Sequence, residues 1–136
     1  MEGSNEEIFS ISKDVNHARD LFEMAKERLN IVIAAIPKEV PYKFLEEYYE
    51  TTLQLITAIM YSDGFKTLSH IKAIEYLNKY QEISSKEIDI LDKMRKFRHR
   101  TVYYGRKESG NFFINHEEDI KVIINKFIKI AERRLR

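Results

Sequence analysis

The sequence contains no cysteine, which excludes disulfide bonds, a thiolate nucleophile and zinc sites built on cysteine. It has only two prolines and four glycines in 136 residues, which disfavours strands joined by tight turns. At the same time, 43% of its residues are hydrophobic and 33% are charged, a composition too apolar for a disordered chain. These properties predict one soluble, mainly helical domain.

Long apolar runs are also missing. The longest, residues 31–36, is far below the ~20 residues that a bilayer crossing needs. The first eleven residues are acidic and lack the basic start and apolar core of a secretory signal. We therefore expect a cytoplasmic protein without membrane contact, with a flexible tail over residues 1–12 and a single helical domain over residues 13–136.

Apolar residues recur at steps of three and four, the spacing of helices that bury one face. This spacing predicts five helices, over residues 15–36, 42–63, 69–80, 84–104 and 115–131, with a loop over residues 105–115. Ser84 and Glu87 have the spacing of a capping box, and Asn115 with Glu118 resembles a second cap. Short connections between the helices favour an all-α, antiparallel up-and-down bundle of about five helices.

Charge is unevenly distributed along the fourth helix and the loop after it. The chain nets +1, yet the stretch from Lys93 to Lys107 holds seven Lys or Arg and no Asp or Glu. Such a cluster indicates an anionic partner, and the phosphate groups of RNA or of a nucleotide fit it. The cations expected to contact phosphate are Arg95, Lys96, Arg98, Arg100 and Arg106.

Arg98 has an unusual place within this cluster. On a helical wheel it falls near the middle of the apolar arc formed by Ile88, Leu91, Met94, Thr101 and Val102. An unpaired guanidinium on an apolar face costs several kcal/mol. Arg98 therefore either forms an internal or intersubunit salt bridge, for example to Glu46, Glu47 or Glu50 of the second helix, or it binds an anion.

Histidine and tyrosine side chains accompany these cations. His99 can act as a general acid or base near neutral pH, or simply donate a hydrogen bond. Tyr103 and Tyr104 either stack on bases or, as terminal tyrosines more often do, pack against a neighbouring helix. No two histidines have the spacing of a helical metal site, so neither a metal nor another cofactor is predicted. The remaining histidines are expected to be capping or core-edge residues: His17, His70 and His116.

Two stretches of the sequence resemble the HEPN domains, helical proteins found with nucleotidyltransferases in prokaryotes. The first, residues 64–77, is similar to the Gly-x-x-x-x-x-His segment that many members carry between their second and third helices. The second is the block around Arg98, where the family signature is an Arg, a polar residue, three or four further residues and a His. With the order of the helices, the resemblance covers residues 15–135.

The resemblance also indicates where this chain departs from the family. Arg98 matches the signature Arg and His99 matches the polar residue, but the signature His is replaced by Tyr103 or Tyr104. In members that are ribonuclease toxins, Arg and His from two protomers meet at a dimer interface and cleave RNA without a metal. Tyrosine, with an unperturbed pKa near 10, is a poor base at neutral pH.

The function that the resemblance implies is therefore a homodimer of toxin-antitoxin or nucleotidyltransferase-associated type that binds RNA or a nucleotide, with catalysis weak or lost. Two alternatives stay open. One is an active, metal-independent endoribonuclease with Arg98, His99 and Tyr103 as its catalytic residues. The other is an interaction subunit that docks a nucleotidyltransferase through the basic block.

Overall fold

A computed structural model of the chain describes residues 7–135, which form an all-α helical bundle, as predicted. Four longer α-helices, one short α-helix and one two-stranded sheet make up this part of the chain. No helix within it is long and apolar enough to cross a membrane. In chain order the elements are β1 (Ile8–Ser10), α1 (Val15–Glu27), α2 (Pro41–Asp63), β2 (Phe65–Thr67), α3 (His70–Tyr76), α4 (Ser85–Tyr104) and α5 (Ser109–Arg134).

Helix α2 lies at the centre of the bundle and contacts the other four helices. It begins with Pro41, whose fixed φ suits a first helical turn. It ends at Gly64, which adopts a left-handed conformation with φ 91°. A Cβ atom at Gly64 would lie 3.1 Å from the carbonyl oxygen of Ile11, so the position suits glycine for two reasons. The predicted bounds of this helix are correct to within one residue.

The first predicted helix is regular only over its first half. After α1, residues Arg28–Val32 form a π-helical turn and Ile33–Ala35 a 3-10 turn, and the chain becomes extended at Ile36. This part is rich in β-branched residues, which lose side-chain freedom in a helix. The side chain of Arg28 reaches α2 and pairs with Glu47. The helical path therefore ends where predicted, but its second half is irregular.

Part of the predicted tail is folded. Strand β1 pairs antiparallel with β2, with Ile8 opposite Thr67 and Ser10 opposite Phe65. The amide of Ile11 also donates to the carbonyl of Gly64 at 2.8 Å. Strands of three residues are too short to show a period of two, so the sequence pattern did not reveal them. Residues 1–6 of the predicted tail lie outside the described residues.

Helix α5 begins at Ser109, so the predicted loop over residues 105–115 and the predicted cap at Asn115 are wrong. Glycine and asparagine are weak helix formers, but packing overrides that preference here. Phe113 is buried and stacks on Tyr48, with 5.4 Å between the ring centroids. Gly110 lies against Pro41, where a Cβ atom would approach the ring Cγ to 3.0 Å. The predicted apolar stripe further along α5 is buried: Ile120, Ile123, Ile124, Phe127 and Ala131.

Helix α4, which carries the basic block, begins at the predicted capping box. The Ser84 hydroxyl accepts from the Glu87 amide at 3.1 Å, and the Glu87 carboxylate accepts from the Ser84 amide at 2.9 Å. Lys126 of α5 lies 2.9 Å from the same carboxylate. The helix ends at Gly105, which has a left-handed φ of 65°. The ion pair with Lys126 thus holds the start of α4 against α5. The last turn of α4 leads into the segment that connects it to α5.

Candidate phosphate-binding cleft

Arg98 extends from α4 to α2. Its Nη2 lies 2.9 Å from Glu50 Oε1, which confirms the interpretation that it pairs with a glutamate of the second helix. The guanidinium carbon lies 5.7 Å from the centre of the Tyr49 ring. The side chain remains 26% exposed, and its Nε is buried without a hydrogen-bond partner in residues 7–135. A guanidinium has five donor hydrogens, so one carboxylate contact leaves most of its binding capacity unused.

Arg98 lines a cleft of about 290 Å³ between α4 and the start of α3, which we call the Arg98 cleft. On one side, Arg98 and three other predicted site residues of α4 line the cleft. Residues 69–71 form the opposite side. The other lining residues are Arg95, His99, Tyr103, Ser69, His70 and Ile71. The two stretches that carry the HEPN resemblance therefore meet at one place.

His70, which we expected to be a capping or core-edge residue, is a wall of this cleft. Its Nδ1 lies 3.1 Å from the Tyr49 hydroxyl. Burial lowers the pKa of His70, and the charges of Arg98 and Arg95 lower it further, against an opposing effect of Glu50. Burial raises the pKa of the Tyr49 hydroxyl far above its ordinary value. At neutral pH the cleft therefore holds an uncharged imidazole beside a protonated tyrosine.

The tyrosines at the end of α4 are exposed. Tyr103 and Tyr104 keep 66% and 69% of their surfaces accessible, so the interpretation that they pack against a neighbouring helix is wrong. His99 lies beside both, with ring centroids at 4.6 Å from Tyr103 and 5.9 Å from Tyr104. Val102, predicted in the apolar arc, is also exposed, because the burial of α4 does not extend into its last turn.

The basic block is less one-sided than the sequence indicated. Asp89 and Asp92 lie within the turn that precedes it and reach its cations: Asp89 pairs with Lys93 at 3.1 Å, and Asp92 with Arg95 at 2.9 Å and Lys96 at 3.2 Å. Burial alone would raise the pKa of Asp92, but hydrogen bonds from Arg95 and Lys96 outweigh it and lower that pKa. Arg95 thus borders the Arg98 cleft with its charge partly compensated, and Lys96 does not line it.

The remaining predicted contacts lie on a different part of the surface. Arg100, Tyr104 and Arg106 line a second depression of about 450 Å³ together with Glu108. Arg106 lies 3.9 Å from the Glu108 carboxylate. Arg100 has its guanidinium 4.9 Å from the Phe97 ring, and within residues 7–135 no carboxylate lies at ion-pair distance from it. Apart from Lys96, which lines neither depression, the predicted site residues therefore fall into two groups joined by the adjacent Tyr103 and Tyr104.

Comparisons of the chain with protein-family models, with curated proteins and with solved structures find no match. In the part of the chain that the structure describes, no group of three or more His, Asp or Glu side chains is placed to hold a metal ion. The residues of the Arg98 cleft are therefore the basis on which a function can be inferred.

Glu50 competes with any anion that approaches Arg98, because both would bind the same guanidinium. If the Arg98 cleft binds the phosphates of RNA, as the sequence predicts, Glu50→Gln should raise the affinity for single-stranded RNA about two- to fivefold, since partly exposed ion pairs contribute roughly 0–1 kcal/mol. Fluorescence anisotropy of a labelled RNA at fixed salt measures this change. Glu46→Gln is the matched control, because it removes the same charge from the same helix but Glu46 pairs with Lys43. Equal gains in both variants would show an effect of net charge alone.

Proposed function

We propose that this protein is a HEPN-like homodimer, of toxin-antitoxin or nucleotidyltransferase-associated type, that binds RNA or a nucleotide by its phosphate at the Arg98 cleft, with little or no turnover. The observation that carries this proposal is the state of Arg98. Its guanidinium is half-buried, borders a cleft and makes a single ion-pair contact within residues 7–135. Charge-assisted hydrogen bonds from a guanidinium to phosphate oxygens are among the stronger polar interactions in proteins.

The surroundings of Arg98 suit a phosphate that is attached to bases. Arg95 adds positive charge, and the uncharged His70 adds a ring that can donate or accept a hydrogen bond. Tyr103 and Tyr104 present exposed rings beside the cleft. Stacking of a base on such a ring contributes about 1–3 kcal/mol and does not depend on which base is present.

The rim of the cleft supports the homodimer in the proposal. Ile71 and Tyr103 line the cleft and are exposed, and Leu68, the residue before Ser69, is 72% exposed. Exposed apolar patches, especially those rimmed by polar residues, are common at sites of protein association. A second copy seated on this rim would cover these side chains and bring a second Arg98 to the same phosphate-binding surface.

A salt titration tests the proposed function. Because phosphate binding releases counterions, we expect the logarithm of the affinity for single-stranded RNA to fall linearly with the logarithm of the salt concentration. Each phosphate contact contributes a slope of about −0.7, so contacts from two protomers predict a slope of roughly −1.5 to −3. An affinity that does not weaken as salt rises would contradict phosphate recognition.

One observation favours a second candidate, the metal-independent endoribonuclease. The Arg98 cleft holds two imidazoles, His70 and His99, beside the guanidinium. One imidazole would take the proton of a ribose 2′-hydroxyl, whose oxygen then attacks phosphorus. The bond to the 5′-oxygen breaks, and the other imidazole, protonated, gives that oxygen a proton. The products are a 2′,3′-cyclic phosphate and a 5′-hydroxyl, and Arg98 would stabilise the charge of the transition state.

The ribonuclease candidate requires cleavage in the presence of EDTA. If the candidate holds, single-stranded RNA is cleaved by the purified protein, and both His99→Ala and Arg98→Ala lose at least about a hundredfold in rate, the usual contribution of an acid–base or charge-stabilising group. Cleavage that survives Arg98→Ala indicates a contaminating nuclease. Intact RNA together with salt-dependent binding leaves the binding function as the better description.

A further inference from the structure

A second cavity lies directly beside the Arg98 cleft. It has a volume of about 330 Å³ and is lined by residues of α2, of β2 and of the start of α3. Ser69 and His70 line both cavities, so the two are neighbours separated by these side chains. We call the second cavity the apolar pocket because Leu53, Met60 and Ala73 form part of its wall.

The two cavities differ in chemistry. The Arg98 cleft presents guanidinium groups, whereas the apolar pocket offers mainly hydrocarbon surface. Two of its hydroxyls donate to backbone carbonyls: Thr57 to that of Leu53 at 2.7 Å, and Thr67 to that of Glu7 at 2.7 Å. Ligand pockets of this size usually combine apolar walls with a few polar groups that fix orientation.

We infer that the apolar pocket and the Arg98 cleft form one bipartite site for a nucleotide unit, with the phosphate at Arg98 and the base in the apolar pocket. This inference rests on the proposed function, because it assigns the phosphate to the same Arg98. A nucleotide has the required pair of properties, an anionic group and a flat ring joined by a short sugar. His70 would lie against the sugar, held in place by its contact with the Tyr49 hydroxyl.

The apolar pocket also defines what this site selects. The hydroxyls of Thr57 and Thr67 give their protons to backbone carbonyls, so they can only accept a hydrogen bond from the edge of a base. The site therefore distinguishes a nucleotide from a sugar phosphate by burying the ring. Lys66, an exposed residue of β2, also lines the apolar pocket and adds a cation to its wall.

The experiment compares adenosine 5′-monophosphate with ribose 5-phosphate by isothermal titration calorimetry. We expect the nucleotide to bind about 5- to 150-fold more tightly, the range that burial and stacking of one base provides. Thr57→Leu places a larger side chain in the wall of the pocket and so reduces the space for a base. This variant should lose most of the preference, while its affinity for ribose 5-phosphate stays within twofold. Thr57→Val is the matched control, because it removes the hydroxyl without adding volume, and it should keep the preference.

The outcomes separate the two proposals. Equal affinities of the wild type for the two ligands, both lost in Arg98→Ala, would overturn the bipartite site and leave phosphate recognition intact. A preference for the nucleotide that persists in Thr57→Leu would also overturn it, because the base would then lie elsewhere. Binding of neither ligand, with RNA affinity insensitive to salt, would remove the proposed function itself.

Thermal melts of both Thr57 variants establish that they are folded. The Thr57 hydroxyl donates to the Leu53 carbonyl of its own helix, so the melting temperature should change little.

Discussion

Replacing Arg98 by alanine is expected to weaken the binding of single-stranded RNA by about 10- to 150-fold, because each hydrogen bond to a charged group contributes roughly 1.5–3 kcal/mol. The guanidinium borders the cleft, and its removal leaves Arg95, already paired with Asp92, as the remaining cation of the cleft wall. Fluorescence anisotropy at low salt measures the affinity. The salt slope should also become less steep, since fewer phosphates are contacted.

The chain offers a closely matched control for this variant. Arg28 is 25% exposed, against 26% for Arg98, and it also pairs with a glutamate of α2, Glu47. It does not line the Arg98 cleft. Arg28→Ala should therefore reduce the free energy of unfolding by a similar amount but leave RNA affinity within twofold. Equal losses of affinity in the two variants would mean that the effect comes from disturbing α2, and the phosphate contact would be refuted.

A second large effect is expected on stability. Asp63 lies at the end of α2 with only 8% of its side chain exposed. It accepts hydrogen bonds from the hydroxyls of Tyr76 at 2.5 Å and Tyr80 at 2.7 Å, and Arg134 of α5 lies 3.1 Å from its other oxygen. Asp63→Ala removes the acceptor of both tyrosine hydroxyls and the carboxylate partner of Arg134. We expect it to lower the free energy of unfolding by about 3–5 kcal/mol, because each hydrogen bond to a charged group contributes about 1.5–3 kcal/mol. Urea denaturation followed by circular dichroism measures the change.

The same carboxylate makes stability depend on pH. Burial alone would raise the pKa of Asp63, but hydrogen bonds from Tyr76 and Tyr80, with the charges of Arg134 and Lys79, outweigh it and lower that pKa. The contribution is therefore present above the ordinary pKa of an aspartate and is lost as the pH falls through the lowered value. The free energy of unfolding of the wild type should therefore fall on acidification, and that of Asp63→Ala should fall by a smaller amount.

Glu82→Ala is the control for Asp63→Ala. Glu82 also pairs with an arginine of α5, Arg133, but both side chains are largely exposed. Exposed pairs contribute about 0–1 kcal/mol, so this variant should differ from the wild type by no more than that. A loss of similar size in both variants would show that the buried position of Asp63 has no special effect.

The parts of the fold that follow from local patterns could be predicted from the sequence. The period of the apolar residues places α2, and the capping box places the start of α4. The cost of an unpaired guanidinium on an apolar face predicted that Arg98 would either pair with a glutamate or bind an anion; the structure shows the pair, with Glu50. The helix and its cap depend on near neighbours along the chain, whereas the choice of Glu50 depends on how α2 and α4 pack.

The features that the sequence did not show depend on contacts between distant segments. The early start of α5 follows from the packing of Gly110 on Pro41 and of Phe113 on Tyr48. His70 joins the cleft because α3 lies beside α4, and the only sequence signal for it was its spacing from Gly64 in the family resemblance. Pairing of the basic block with Asp92 was missed because the charge count began one residue after that aspartate.

The connection from α2 to α3 sets the distance at which the two walls of the Arg98 cleft face each other. It is anchored at Asp63 by α5 and along β2 by β1, and it ends where Ser69 caps α3 by accepting from the Lys72 amide at 3.1 Å. An insertion or deletion within this connection would displace His70 from Arg98 even if every side chain of the cleft were kept. The length of this segment is thus as much a part of the site as its residues, and related sequences are best compared by that spacing.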